Sequence, residues 1–489
     1  MTSTAPSTPP EWRLLLRHEW RLLARERLPW LLGTVLLLLL GYGAWNGWHW
    51  ARFQRQAIGR VLTDDAERLA ALDSTLRLRA AGDSTVRVPV IGVLGATAAT
   101  RHATLPPTAL GALAVGTSDL RPSYARVSTR SKDTFLSVDE IENPHHLLAG
   151  RFDLAFVVVY LLPLLLLALT FNVVSGEREQ GTLALLLTTS TPPARLLLAK
   201  LAVRVTLALG GTVLITLGLA VGVLAVDGSP LTELRSWAGI GLWLLLVLAY
   251  AAWWTALALA VNVRGYGSAT NAMLLIGAWL LFLVIIPAGV AAGVSTVHPA
   301  PSRVTLTTAL REASDAAAQA GDQAVAQYLA DHPEMLRTGG LAEGNSWART
   351  IALQERTAQA MRPVYAAFDS ALAAQERSAA AWRLLSPAVV LMDALHDVAG
   401  RGVGRYRHFE RQLDVHHQAW QQFFFQRIFA NQTADRELLG ALPVFRYLEE
   451  PLSEVLGRTL PALAFLLALT GLLSGWALRR LGSVTPISR

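Results

Sequence analysis

The sequence predicts an all-α polytopic membrane protein with six transmembrane helices and two large extracytoplasmic segments, the second mainly helical and the first mixed. Three observations carry that expectation. Of the 489 residues, 52% are hydrophobic and the mean hydropathy is +0.37, too apolar for a soluble chain of this length. Six runs reach the ~20 residues that a helix needs to cross hydrocarbon. Tryptophans gather at run ends: Trp30, Trp45, Trp48 and Trp50 around the first, and Trp237, Trp253 and Trp254 around the fourth. Amphipathic rings collect in this way at membrane–water interfaces.

Residues 1–28 read as a cytoplasmic tail and an interfacial amphipathic helix. Leu15, Leu16, Trp20, Leu22 and Leu23 recur near helical spacing with arginines between them, so one side suits lipid and the other anionic head groups. The first span is 29–48, long enough for an anchor and without a clear signal-peptidase site. Segment 49–153 opens with a helical pattern (Ile58, Val61, Leu62, Leu69, Leu72) and continues through "STVRVPVIGV", where short strands are expected. The second span is 154–174, and 175–201 forms a cytoplasmic loop. Spans at 202–226, 237–261 and 270–294 follow. Segment 295–457 reads as helices near 304–330, 346–382 and 406–430, interrupted at Gly339-Gly340, Pro387 and "GRGVG". The sixth span is 458–478, with a cytoplasmic tail at 479–489.

Charge sets the orientation. Arg13, Arg17, Arg21, Arg25 and Arg27 precede the first span. Arg178, Arg195 and Lys200 lie after the second, Arg264 after the fourth, and Arg479 and Arg480 after the sixth. With six crossings all of these fall on one side, so both termini are expected in the cytoplasm. The net charge of +7 is thereby accounted for by membrane topology, and no nucleic-acid partner is expected.

Several chemistries are excluded. There is no cysteine, hence no disulfide or thiolate chemistry. The central parts of the six runs hold no Asp, Glu, Lys, Arg or His, which argues against a self-sufficient proton pump. Only two of the 43 basic residues are lysine, Lys132 and Lys200, and neither sits in the glycine-rich setting of a P-loop. An H-E-x-x-H motif and a G-x-S-x-G elbow are absent. His145-His146 and His416-His417, with His396 and His408, lack completing carboxylates, so no metal site is expected.

The loop "SGEREQGTLALLLTTSTPPARLLLAK" holds the remaining candidates. Glu177, Arg178 and Glu179 place it at the membrane face. Gly181 permits a bend, Thr182 is a plausible N-cap, and Leu183–Leu187 is too short to span. The residues alone leave two readings open: a helix that docks a partner, or one that only anchors the turn.

This stretch resembles the loop after the second span of ABC-2 type permeases. On that pattern Glu177, Arg178, Glu179, Gly181, Thr182 and Leu183 match the motif, and Lys200 matches the basic position opening the next helix. Residues 385–424 are similar to permeases of that type carrying the DUF3526 domain, through Ser386, Pro387, Ala388, Ala394, Leu395, Ala399, Gly400 and Phe409. The resemblance implies a non-enzymatic permease subunit in a bacterial cytoplasmic (inner) membrane, exporting or extracting an unknown substrate. It implies an ATP-binding subunit docked on 175–190, which brings ATP and magnesium, and a second permease. This chain would bind no cofactor of its own. A competing expectation is an ATP-coupled scaffold or mechanotransmitter that signals to envelope partners without moving cargo. The stretch "SPAVVLMDALHDVAG" reads either as a helix at the outer membrane surface or as core of the outer domain. The second is favoured for Val390 and Leu391.

Overall fold

The structure is a computed structural model that describes residues 11–116, 118, 121–130, 152–182, 193–226, 234–299, 302–333 and 346–482. Among these, six helices are long and apolar enough to cross a membrane: Arg27–Ala80, Leu154–Glu179, Ala194–Val223, Arg235–Asn262, Ser268–Val297 and Leu452–Leu481. The fold is all-α and polytopic, as the hydropathy pattern predicts. Six crossings return the chain to the side from which it began. That side is called the terminal face below, and the other the distal face.

The amphipathic helix α1 (Glu11–Arg25) packs beside the third span. The first span does not stop at the distal face. Its helix runs unbroken for 54 residues, about 80 Å at 1.5 Å per residue, against a hydrocarbon core of about 30 Å. The helical pattern around Ile58–Leu72 is thus a continuation of the span and not a separate helix. The third span's helix begins at Pro193, so Arg195 and Lys200 belong to it.

One core fills the bundle. It joins Leu36 and Leu40 of the first span, Trp243, Tyr250 and Trp254 of the fourth and Leu466 of the sixth. The fifth span leaves much of its surface open, including Met273, Ile276 and Ile285. Such a face costs little in lipid, because hydrocarbon is as apolar as the side chains.

Beyond the distal face the two long segments build a single domain. The first contributes the distal part of the Arg27–Ala80 helix and a two-stranded antiparallel sheet, β1 (Arg101–Thr104) with β2 (Tyr124–Val127), pairing Arg101 with Val127 and Thr104 with Tyr124. The second contributes α2 (Arg303–Ala320), α3 (Asp322–Asp331), α4 (Ser346–Trp382), α5 (Pro387–Val398) and α6 (Val403–Phe429). Leu72, Leu76, Ile91 and Val127 of the first share a core with Tyr328, Ile351, Phe409, Trp420 and Phe424 of the second. Asp65 fastens the sheet to the long helix. It accepts the His102 backbone N–H at 2.6 Å, pairs with the His102 ring at 2.9 Å, and meets Arg68.

Helix α5 departs from the favoured sequence reading. Val390 and Leu391 are buried in the bundle core and not in the distal one. Helices α4 and α5 meet at a bend of 120°. Twelve residues of α5 reach about 18 Å, too short to cross. It is a re-entrant helix that enters the bundle from the distal side and packs on the fourth and sixth spans.

Its deep N-terminus, level with the middle of the fifth span, explains one proline. In the fifth span, Leu281–Ile285 widens into a π-turn in which the Ile286 N–H bonds Leu281 O. In that i→i+5 register the next carbonyl, Phe282, faces Pro287, which has no N–H. Ser386 Oγ donates to Phe282 O at 2.5 Å and also caps α5 by accepting from Val389 N–H at 3.3 Å. The second span is also irregular beside a proline. Its π-turn Val157–Leu161 precedes Pro163, and Tyr250 Oη donates to Val159 O while Trp279 Nε1 donates to Tyr160 O, each at 3.0 Å. Irregular backbone at membrane depth survives only where neighbouring donors satisfy it.

Candidate functional site

At the terminal end of the second span the helix pauses after Thr170, turns through Phe171–Val174, and resumes as the short helix Ser175–Glu179. Two buried asparagines hold the turn. Asn262 donates to Thr170 O at 3.1 Å and Ala258 O at 2.9 Å, and its Oδ1 accepts Val174 N–H at 3.3 Å. Asn271 donates to Phe171 O and to Asn262 Oδ1, both at 3.3 Å. These amides are 2% and 0% exposed, so their bonds replace water that the site cannot admit.

The charged residues then fan out to three different elements. Glu177 binds Lys200 of the third span and the Thr182 hydroxyl. Lys200 is 8% exposed and also lies 4.0 Å from Glu19 of α1. Burial pushes the Glu19 carboxyl above its ordinary range, against the attraction of Lys200 and Arg204. Arg204 donates to Leu169 O at 2.8 Å. Arg178 donates to the Tyr266 carbonyl in the connection between the fourth and fifth spans. Glu179 accepts from Ser268 N–H at 2.6 Å and Ser268 Oγ at 2.8 Å. That caps the N-terminus of the fifth span with a negative charge, where the helix dipole favours one. Ser175 Oγ meets the same Ser268 hydroxyl at 2.8 Å.

Gly181 closes the short helix. Its φ of +73° suits glycine, and its N–H returns to Arg178 O at 3.1 Å, which swings Thr182 back over Glu177. The Thr182 hydroxyl expected to cap a following helix is thus spent on the preceding turn. Leu183, and the leucine segment after it, lie outside the described residues.

Of the first candidate set, Glu177, Arg178, Glu179, Gly181, Thr182 and Lys200 therefore converge in one junction joining α1 and the second, third and fifth spans. The second set does not form one site. Ser386, Pro387, Ala394 and Leu395 belong to the re-entrant helix. Gly400 terminates it at φ +68°, with its N–H on Asp397 O and the Arg401 N–H on His396 O. A Cβ at Gly400 would lie 2.4 Å from Thr108, so the position tolerates only glycine. Phe409 lies in the distal core against Phe445 and Tyr447. Sequence reasoning missed Asn262, Asn271, Ser268, Tyr250 and Trp279. Two asparagines flanking a short break between apolar runs were the available signal.

Among the described residues no group of three or more His, Asp or Glu side chains gathers as a metal site. His145 and His146 lie outside them, while His408 and His417 bond the carbonyls of Leu448 and Arg130.

Residues 13–341 match the family described as ABC-2 family transporter protein. This chain belongs to the ABC-2 transporter family. The match covers more than half of its length and takes in the first five spans and the junction. Residues 303–448 match the domain of unknown function DUF3526, which here corresponds to α2 through α6 and the chain that follows. A search of curated proteins finds no match. This ABC-2 permease is the multi-pass, non-catalytic membrane subunit of an ABC transporter, a family that implies partnership with an ATP-binding subunit.

Proposed function

We propose that a separate ATP-binding subunit docks on the 175–190 segment and supplies the ATP and magnesium that drive this permease. One observation carries the reading: the Ser175–Thr182 stretch is bonded directly to the third and fifth spans and, through Lys200, is linked to Glu19 of α1. A push there would move several spans together, which suits a coupling element. The face is cytoplasmic on this reading, since it carries the arginine-rich ends, and the membrane is a bacterial inner membrane. A second permease, identical or related, completes the pathway. The direction is export or extraction, of a substrate whose chemistry nothing here names.

Co-purification tests it. Leu183→Asp should lose the ATP-binding subunit while membrane insertion is retained. Glu179→Ala removes the fifth-span cap and should instead keep the subunit but lower ATP hydrolysis coupled to cargo. Full retention of the subunit by Leu183→Asp would sink the docking assignment. The scaffold reading draws on the first span, whose helix continues without interruption into the distal core. If hydrolysis in reconstituted complexes responds to envelope partners and to no lipid or peptide cargo, that second reading replaces transport.

A further inference from the structure

The continuous first-span helix carries a cleft just past the distal membrane boundary. Trp50, Phe53, Gln54, Ala57 and Arg60 recur at three- and four-residue steps, so they line one helix face. Arg121, Ser123 and Tyr124 form the facing wall, and the cleft encloses about 310 Å³. Trp50 lies 23 residues from Arg27, about 35 Å along the helix, which places it where hydrocarbon gives way to head groups. Trp45 and Trp48, within the five residues before it, mark the same boundary.

The floor is built and not incidental. Trp50 Nε1 donates to Ser118 Oγ at 3.1 Å, and Gln54 donates to Ser118 O at 3.4 Å. The Trp50 and Phe53 rings stack at 5.3 Å, and Phe53 remains 46% exposed. Arg121 lies over the Tyr406 ring at 4.7 Å, within the electrostatic reach of Glu410. Burial lowers its basicity, with Glu410 and Tyr406 only partly offsetting this. Arg60 bonds its own helix through Gln56 O and is without a carboxylate partner among the described residues. The one acid in the lining, Asp64, is a turn farther from the bilayer than Arg60.

We infer that this cleft binds an anionic lipid of the distal leaflet, with the lipid phosphate at Arg121, the glycerol against Trp50 and Phe53, and the acyl chains remaining in the bilayer. An aromatic floor at the interface with a guanidinium above it matches that amphiphile in both polarity and depth. Zwitterionic lipid gains less there, because its cationic group meets Arg60.

Native mass spectrometry of the detergent-purified, delipidated permease reads the prediction. Phosphatidylglycerol, phosphatidylcholine of the same chains, and inorganic phosphate serve as probes. Wild type should retain phosphatidylglycerol in preference to phosphatidylcholine. Arg121→Gln should weaken phosphatidylglycerol about tenfold, the scale of one charge-assisted hydrogen bond. Arg121→Lys should recover most of that loss, and exposed Arg60→Gln should cost about two- to threefold. Equal retention of the two lipids by wild type, or an Arg121→Gln variant that binds like wild type, overturns the assignment. Displacement of phosphatidylglycerol by millimolar inorganic phosphate would show a free-anion site and overturn the lipid source. If Arg121→Lys fails as badly as Arg121→Gln while both stay monodisperse and helical, charge is not the recognition element and the inference also falls.

Discussion

The second span is interrupted near both of its ends, and the two interruptions are repaired with different chemistry. Toward the terminal face, Phe171–Val174 is held by two asparagine amides, and full charges follow within one turn. Toward the distal end, the π-turn Val157–Leu161 is held by a phenol and an indole, and the nearest carboxyl, Asp153, caps the start of the span without touching the freed carbonyls. Depth explains the contrast. Ionised groups are tolerated where water or an opposite charge is within reach, whereas deeper in hydrocarbon only neutral donors attached to apolar rings can be buried cheaply. The terminal repair can respond to a partner's charges; the distal repair can respond only to packing.

Removing the amide attacks the terminal repair most directly. Asn262→Leu leaves the Thr170 carbonyl and the Val174 N–H without their partner, and should destabilise the bundle by about 2–3 kcal/mol. Thermal unfolding in detergent reads this, and an unchanged midpoint would show that water enters the turn. Next comes Lys200→Met, which strands the Glu177 carboxylate and should cost about 2 kcal/mol. Adding Glu177→Gln should restore most of the loss. A double variant as unstable as the single one would mean that Lys200 acts through Glu19 instead. At the distal repair, Tyr250→Phe removes one neutral donor and should cost about 1 kcal/mol. Its signature is local, namely faster amide exchange around Val159–Pro163, and uniform exchange across the span would contradict it.

Acid supplies the smallest effect near neutrality and a contrast with both repairs. Burial alone would raise the Glu449 carboxyl, but the Arg405 bonds at 2.7 Å outweigh it and hold it below the ordinary range. Asp65 is held down in the same way by His102 and Arg68 against burial. A depressed folded-state value contributes stability above the unfolded-state pKa and loses it as pH falls. His416 of α6 is held below the ordinary imidazole range by burial, so the distal domain should be unaffected between pH 7 and 8, begin to loosen below about pH 6.5, and loosen further below about pH 4 as the carboxylates protonate. Limited proteolysis of 303–448 against pH checks this, and an unchanged cleavage pattern down to about pH 3 would contradict it.

Much of this was legible in the sequence, and the rest fails for identifiable reasons. Hydropathy locates the spans because each run satisfies its own backbone. The E-R-E stretch was legible as a membrane-face element. Its partners were not, because Ser268 lies 89 residues from Glu179 and Tyr266 lies 88 from Arg178. The same charges that look free on a linear reading are spent inside the bundle. Ser386-Pro387 announces a helix start, but nothing local says that the serine also answers a carbonyl 104 residues earlier. Shared burial of Leu72 with Phe424 joins segments on either side of four spans, and no periodicity carries such information.

The long first-span helix is a rigid lever between the bilayer and the distal domain. Pivoted at the terminal face, a tilt of about 5° would sweep its far end about 7 Å, given its ~80 Å length. Transmembrane helices tilt to match hydrocarbon thickness, so a change of bilayer too small to alter the bundle's packing would be written large in the position of the distal domain. Spin-label distances from Ala80 to the membrane surface, measured in bilayers of graded thickness, would calibrate that scale.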